Sequence, residues 1–184
     1  MIVLGLDIST SVTAYCLINT ELPPGKRLIK SEGIHLSKLK SSYDKSCKVR
    51  EVFLSLLKDY KVEDIAIEES LQAFRSGLSS AKTLSALTRF NGVVSFLAED
   101  IFGKQCQRIN VNSARSKLGI KIDRKSSVSS KEQVREWVMR HPDFVDFDWP
   151  TKTLKSGPRK GQTIFDVSCL DIADSAVMAL TVSA

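Results

Sequence analysis

Four acidic residues stand where a carboxylate is expensive, and they constrain this chain more than any other feature. Asp7 closes the apolar run Ile2-Val3-Leu4-Gly5-Leu6, and Glu68 closes Ile65-Ala66-Ile67. Asp171 and Asp174 interrupt the largely apolar stretch from Val167 to Met178. A carboxylate at the edge of a core must be paired, hydrogen-bonded or bound to a metal, because leaving it desolvated and alone costs too much. If the four converge, they form an oxygen-rich cage suited to a hard divalent cation such as Mg²⁺. Metal-assisted phosphoryl transfer is the chemistry such a cage serves.

With 184 residues, the chain is expected to form a single domain over 1–184 with a core that needs no staples. Its net charge of +6, beside an acidic quartet, suits a polyanionic substrate whose chemistry needs metal. Cys16, Cys47, Cys106 and Cys169 show no C-x-x-C spacing and read as reduced thiols. With only His35 and His141 available, a zinc site is not expected. No apolar stretch is long enough for a membrane span, and no signal peptide is evident. The expected location is the cytoplasm of a bacterial or virus-infected cell, or an organelle after removal of a targeting segment.

The patterning alternates between the two periods that mark strands and helices. Ile2 to Asp7, Thr13 to Ile18 and Arg27 to Leu36 read as strands with short connections, hence an antiparallel meander. Tyr43 to Tyr60 is helical, with Val49, Val52, Phe53, Leu56 and Leu57 on one face. Asp64 to Glu68 is a strand entered after a helix and therefore parallel to the first. Leu78 to Phe102 carries the longest stripe: Leu78, Ala81, Leu84, Leu87, Phe90, Val94, Leu97 and Ile101. A strand over Gln105 to Val111 and a short helix opened by Asn112 or Ser113 follow. Ser130-Lys131-Glu132-Gln133 resembles a capping box for a helix to Met139, and residues 141–163 read as an irregular insertion with a basic tip. Asp166 caps a final helix from Val167 to Val182.

This order predicts an α/β fold, a mixed five-stranded sheet with its first three strands antiparallel and helices on both faces. The first and fourth strands lie side by side at the centre. Asp7 and Glu68 then meet at the carboxyl ends of parallel strands, where open sheets build their sites. Asp171 and Asp174, three apart on a helix, share a face and can point there too. Glu69 rivals Glu68, but adjacent strand residues face opposite sides.

In this order the residues resemble the ribonuclease H-like superfamily, and more closely the RuvC-type Holliday-junction resolvases. The resemblance covers nearly the whole chain. Gly5-Leu6-Asp7 is similar to the first-strand aspartate motif, and Ala66-Ile67-Glu68 to the glutamate strand. Ala81 through Phe96 resembles the long helix that pairs subunits. Lys131-Glu132-Gln133-Val134 resembles a helix start with a functional lysine, and Asp171-Ile172-Ala173-Asp174 the terminal D-x-x-D. Three positions depart from the pattern: Ile8-Ser9 replace Pro-Gly, Ser126-Ser127-Val128-Ser129-Ser130 replace a glycine-rich loop, and Leu71 replaces a junction-wedging aromatic, with Phe74 one turn on.

The resemblance implies cleavage of four-way DNA junctions by a homodimer that uses two Mg²⁺ ions per site, with Mn²⁺ also serving. Asp7 would bridge the ions, and Glu68, Asp171 and Asp174 would complete their shells, with Lys131 as a fifth catalytic group. Leu71, Phe74, Arg75, Arg115, Lys117, Lys121, Arg124, Lys125, Lys155, Arg159 and Lys160 are candidate DNA contacts. The rival readings are a ribonuclease H-fold nuclease for RNA–DNA hybrid or structured RNA, an actin-like kinase half, and a junction-binding scaffold that does not cut.

Overall fold

The computed structural model describes residues 1–69 and 81–183, and its organisation follows from one apolar strand. β1 (Ile2–Asp7) is buried along nearly its whole length, so it needs partners at both edges and cover on both faces. β2 (Val12–Asn19) and β3 (Leu28–His35) extend one edge as an antiparallel meander. β4 (Asp64–Glu68) and β5 (Cys106–Ile109) extend the other edge in parallel. The resulting order is β3-β2-β1-β4-β5, the expected five-stranded sheet with β1 and β4 adjacent. Parallel neighbours require crossovers, and α1 (Ser42–Asp59) and α2 (Ala81–Phe102) provide them.

Side chains alternate across the pleat, so β1 serves two cores at once. Leu4 and Leu6 pack with Tyr15, Leu17, Ile65 and Ile67 beneath α1 and α2. Val3 packs with Ala14, Cys16, Ile18 and Ala66 beneath three further helices, α3 (Val111–Lys117), α4 (Ser130–Arg140) and α5 (Ser168–Ser183). α5 lies unusually close to the sheet. A Cβ added at Gly5 would stand 2.2 Å from the Ser175 carbonyl oxygen, and one at Gly33 would stand 2.9 Å from Ser168 Cβ. These two glycines are the space through which the last helix settles onto the strands.

Several expected boundaries shift, each for a local reason. Asn110, not Asn112 or Ser113, caps α3: its side chain accepts from the Asn112 and Ser113 backbone N–H groups. Ser129, not Ser130, caps α4, because the reciprocal partner of Glu132 lies three residues before it. Leu57 of α1 is exposed rather than buried, since the core face ends at Leu56. The stripe of α2 divides: Phe90, Val94, Ala98 and Phe102 are buried, whereas Ala81 is exposed and Leu84 and Leu87 are half-buried. Leu78, the expected start of that stripe, lies outside the described residues.

The segment 141–163 is ordered where an irregular insertion was expected. A 3-10 turn at Pro142–Phe144 leads into edge-on contacts of Phe144 and Phe147 and of Phe147 and Trp149. Asp143 anchors it by accepting from the backbone N–H groups of Gly25 and Arg27 at 2.6 and 3.0 Å. A separate hairpin follows, β6 (Thr151–Thr153) paired antiparallel with β7 (Thr163–Phe165). Asp166 accepts from the Ser168 N–H at 2.9 Å, as expected of a residue opening the last helix. No helix among the described residues is long and apolar enough to cross a membrane, and no cysteine is paired.

Candidate active site

The pleat that splits the core also selects the acids. Gly5 faces α5, and Ala66 packs in the core beneath it, so Asp7 and Glu68, two residues further along their strands, turn to that same side. The register pairs Leu6 with Ile67, which leaves Asp7 and Glu68 as the next neighbours at the carboxyl ends. Glu69 is exposed, its backbone N–H donates to the Ile109 carbonyl, and it borders the open edge of the site beside Glu68. From above, α5 delivers Asp174 immediately before the Ser175–Gly5 contact and Asp171 one turn before it. Asp7 thus lies within electrostatic reach of Asp174, Asp171 and Glu68.

The geometry adds a cation to it. Lys131, on the first turn of α4, places its ammonium 3.2 Å from Asp174 and 3.5 Å from Asp171. Arg115, on α3, stands 3.9 Å from the other oxygen of Asp174. Asp171 accepts a hydrogen bond from the Asp7 carboxyl, while Asp7 Oδ2 is buried with no partner.

Electrostatics follow from crowding in a poorly solvated place. Burial, reinforced by Asp174, pushes the Asp7 carboxyl well above the usual carboxylate range. Burial and the nearby Asp174 also raise Glu68, and burial raises Asp171 against the pull of Lys131. For Lys131, burial acts downward, but Asp174, Asp7 and Asp171 outweigh it and hold the ammonium charged far above neutrality. Like charges at close range oppose simultaneous ionisation and add to burial in holding Asp7, Glu68 and Asp171 upward.

A cleft of about 350 Å³ opens beside the cluster, lined by Asp7, Ser9, Glu68, Lys131 and Asp171 on one wall. Leu84, Leu87, Thr88 and Asn91 of α2 form the opposite wall. The half-buried start of α2 thus borders the site rather than the core. Thr88 and Asn91 escaped the sequence reading, although two polar residues beside an apolar stripe are a signal of a wetted wall. The pairing of Arg115 with Asp174 also escaped it.

The remaining basic residues go to different places. Arg115, Lys121 and Arg124 line a second depression of about 480 Å³ with Ser130, adjacent in sequence to Lys131. Lys117 donates to the Thr181 carbonyl at 3.0 Å and so tethers α3 to α5. Lys125 is exposed, and Lys155, Arg159 and Lys160 sit in the exposed turn between β6 and β7. Leu71, Phe74 and Arg75 lie outside the described residues.

Among the described residues, no three His, Cys, Asp or Glu side chains stand close enough to grip an ion as they are, and Lys131 lies among the carboxylates. The donor set nevertheless fits a hard divalent cation. Four carboxyl groups face two cationic side chains, and one buried oxygen, Asp7 Oδ2, has nothing to bond.

Solved structures of the same architecture exist. Thermus thermophilus RuvC in complex with a Holliday junction superposes with a TM-score of 0.61 at 18% identity, over 98% of this chain and 91% of that one. The Thermus thermophilus RuvC structure gives 0.61 at 20%, over 98% and 92%. This chain has the fold of a RuvC-type resolvase. The yeast mitochondrial Holliday junction resolvase aligns with a TM-score of 0.57 at 17% identity, over 98% of this chain and 77% of that one. No protein-family model and no curated protein sequence matches the chain.

Proposed function

We propose that this chain is a metal-dependent, structure-selective endonuclease that resolves four-way DNA junctions by nicking two strands at symmetrical positions. One observation carries the reading: Asp7, Glu68, Asp171 and Asp174 meet around Lys131 at the carboxyl ends of β1 and β4, beside an open cleft. Two ions of the Mg²⁺ class, held by these four carboxylates, would supply an acidified water and a charge for the leaving 3′ oxygen.

The chain's own residues do the rest. β1, β4 and α5 fix four oxygen donors where water is scarce, so each interaction there is stronger than at an open surface. Lys131 leaves about half its side chain exposed (52%) while its ammonium rests on the acids, which suits it to hold a phosphate oxygen at the mouth of the cleft. Arg115 backs Asp174 from the far side and restrains its carboxylate. Leu84 and Leu87 offer an apolar wall to sugars and bases, while Thr88 and Asn91 offer it polar groups. The basic depression of Arg115, Lys121 and Arg124 and the net charge of +6 favour a polyanion.

A symmetrical substrate calls for a symmetrical enzyme. Val93 and Phe96, 43% and 63% exposed, share the outer face of α2, and pairing two copies across that face would bury them and set two sites about a two-fold axis. The neighbours described as junction resolvases support the choice of substrate.

A labelled synthetic four-way junction, incubated with and without Mg²⁺, tests the proposal. Paired nicks at symmetrical positions, dependent on the metal and absent in Asp7→Asn, are expected. Cutting of RNA–DNA hybrid in preference to the junction, or junction binding without cleavage, would overturn it.

A further inference from the structure

The hairpin of β6 and β7 has no role in the site just described, yet all of its charge is of one sign. From Thr151 to Phe165 there are four cations, Lys152, Lys155, Arg159 and Lys160, and no acid. Every residue of the segment is exposed except Leu154 and Ile164, which are half-buried. Among the described residues Lys155, Arg159 and Lys160 make no ion pair; Lys152, at the base, leans on Asp166 at 3.7 Å.

A charged loop is most often mere solvated surface, but this one is built. Its turn is closed by Leu154 N–H to Gln162 O at 2.9 Å, Gly161 N–H to Leu154 O at 2.8 Å and Lys160 N–H to Gly157 O at 3.0 Å. Gly157 and Gly161, at φ of 81° and 87°, supply the left-handed backbone that the turn requires. An isolated two-stranded ribbon is marginal in water, so its order comes from docking. That docking is to the two helices that present the site. On the α4 side, the Arg135 guanidinium lies 4.8 Å from the centre of the Phe165 ring. On the α5 side, the Asp166 N–H and the Cys169 thiol both donate to the Pro150 carbonyl, at 2.9 and 3.1 Å. Arg135 follows Lys131 by four residues on α4, so the stalk stands about 6 Å along the helix axis from the catalytic lysine. Three unpaired cations held together in one ordered turn repel each other until a polyanion arrives.

We infer that this hairpin is an arm-gripping element: Lys155, Arg159 and Lys160 bind the phosphate backbone of a DNA duplex arm beyond the strand being cut. The ligand is the phosphodiester chain, read by charge and not by base sequence. The inference deepens the nuclease reading and rests on it for the identity of the duplex as a junction arm.

Binding in EDTA, without cleavage, tests the hairpin apart from catalysis. A labelled four-way junction and a linear duplex of the same sequence are titrated with wild type, with Lys155→Gln/Arg159→Gln/Lys160→Gln, and with the Glu triple at the same positions, over a series of KCl concentrations. Each phosphate contact adds close to one unit to the slope of log affinity against log salt. The Gln triple should weaken both DNAs about tenfold at 0.1 M salt and flatten that slope by about two to three. The Glu triple should bind more weakly still, with melting temperatures unchanged for both variants. Equal affinity and equal slope for the wild type and both triples would overturn the hairpin's role while leaving the nuclease reading intact. Hairpin-dependent binding by a wild type that never nicks the junction in Mg²⁺ would do the reverse. Failure of wild type to bind either DNA would overturn both.

Discussion

The ammonium of Lys131 stands 3.2 Å from Asp174 and 3.5 Å from Asp171, so a side chain half open to solvent faces one buried acid and one half-buried acid at once. In the metal-free protein this lysine does part of what a bound cation would do. Lys131→Met leaves those carboxylates without their nearest countercharge. Because the ammonium is partly solvated, the loss is smaller than for a fully buried pair, about 1 kcal/mol of metal-free stability. Mg²⁺ should then raise the melting temperature more in the variant than in wild type, since the ion binds only the folded state and relieves a larger deficit. Thermal unfolding at zero and 10 mM Mg²⁺ (a concentration on the order of 10 mM saturates typical carboxylate sites) checks this. Equal increments in the two proteins would refute it.

Asp7 offers a sharper test, because its two states of occupancy have opposite requirements. Its Oδ2 atom is buried with no partner, and its carboxyl is hydrogen-bonded to Asp171. Asp7→Asn keeps a donor toward Asp171 and removes a charge that burial already disfavours. The variant should match or exceed wild type in metal-free stability, by about 1 kcal/mol. The same change deletes a hard oxygen donor, so the Mg²⁺-dependent rise in melting temperature and all junction nicking should disappear. A variant that is markedly less stable without metal would show that Asp7 serves the fold instead.

These tests also mark where the sequence was readable and where it was not. Asp7 and Glu68 are legible because each ends a β-branched run, and the parallel pairing of the strands follows from the helix between them. Asp171 and Asp174 are legible by their apolar neighbours. The contact of Arg115 with Asp174 is not, because it joins residues 59 apart in the chain through the packing of α3 against α5. The β6–β7 hairpin is hidden for a different reason. Nearly all its positions are exposed, so no alternation marks its strands, and contacts with Arg135 and Pro150 hold it. The division of the α2 stripe is not legible either, because helical spacing persists from Leu84 to Phe102 while the surface it faces changes from cleft to sheet.

His141 gives a pH dependence that is independent of the acids. Its Nδ1 accepts the backbone N–H of Asp143 at 3.3 Å and so caps the 3-10 turn, which requires that nitrogen to be unprotonated. Burial lowers its pKa, against the attraction of Asp143 and with some help from Arg27. A folded pKa below the unfolded value means that the stabilisation is full above about 6.5 and is lost as the pH falls from there through the folded pKa. Asn is a strong capping residue that does not titrate, so His141→Asn should keep the turn and remove this component of the pH dependence. Urea unfolding of both proteins at pH 7.5 and 5.5, with saturating Mg²⁺ throughout, should show wild type losing more stability than the variant. Parallel losses would exclude the capping role.

Gly5 sets the distance between the strand that carries Asp7 and the helix that carries Asp171 and Asp174. An added methyl would meet the Ser175 carbonyl oxygen at 2.2 Å and the Ala179 amide nitrogen at 2.5 Å, both backbone atoms that cannot rotate away. The helix must therefore lift, and the core beneath it must open along Val3, Ala66 and Ala176. Gly5→Ala should cost about 3 kcal/mol, the upper range for overpacking a tight core. Because the lift also draws Asp171 and Asp174 away from Asp7, the metal-induced rise in melting temperature should shrink in the same variant even at temperatures where it remains folded. An alanine variant of wild-type stability and metal response would mean that α5 does not rest on β1 as closely as the Gly5–Ser175 contact requires.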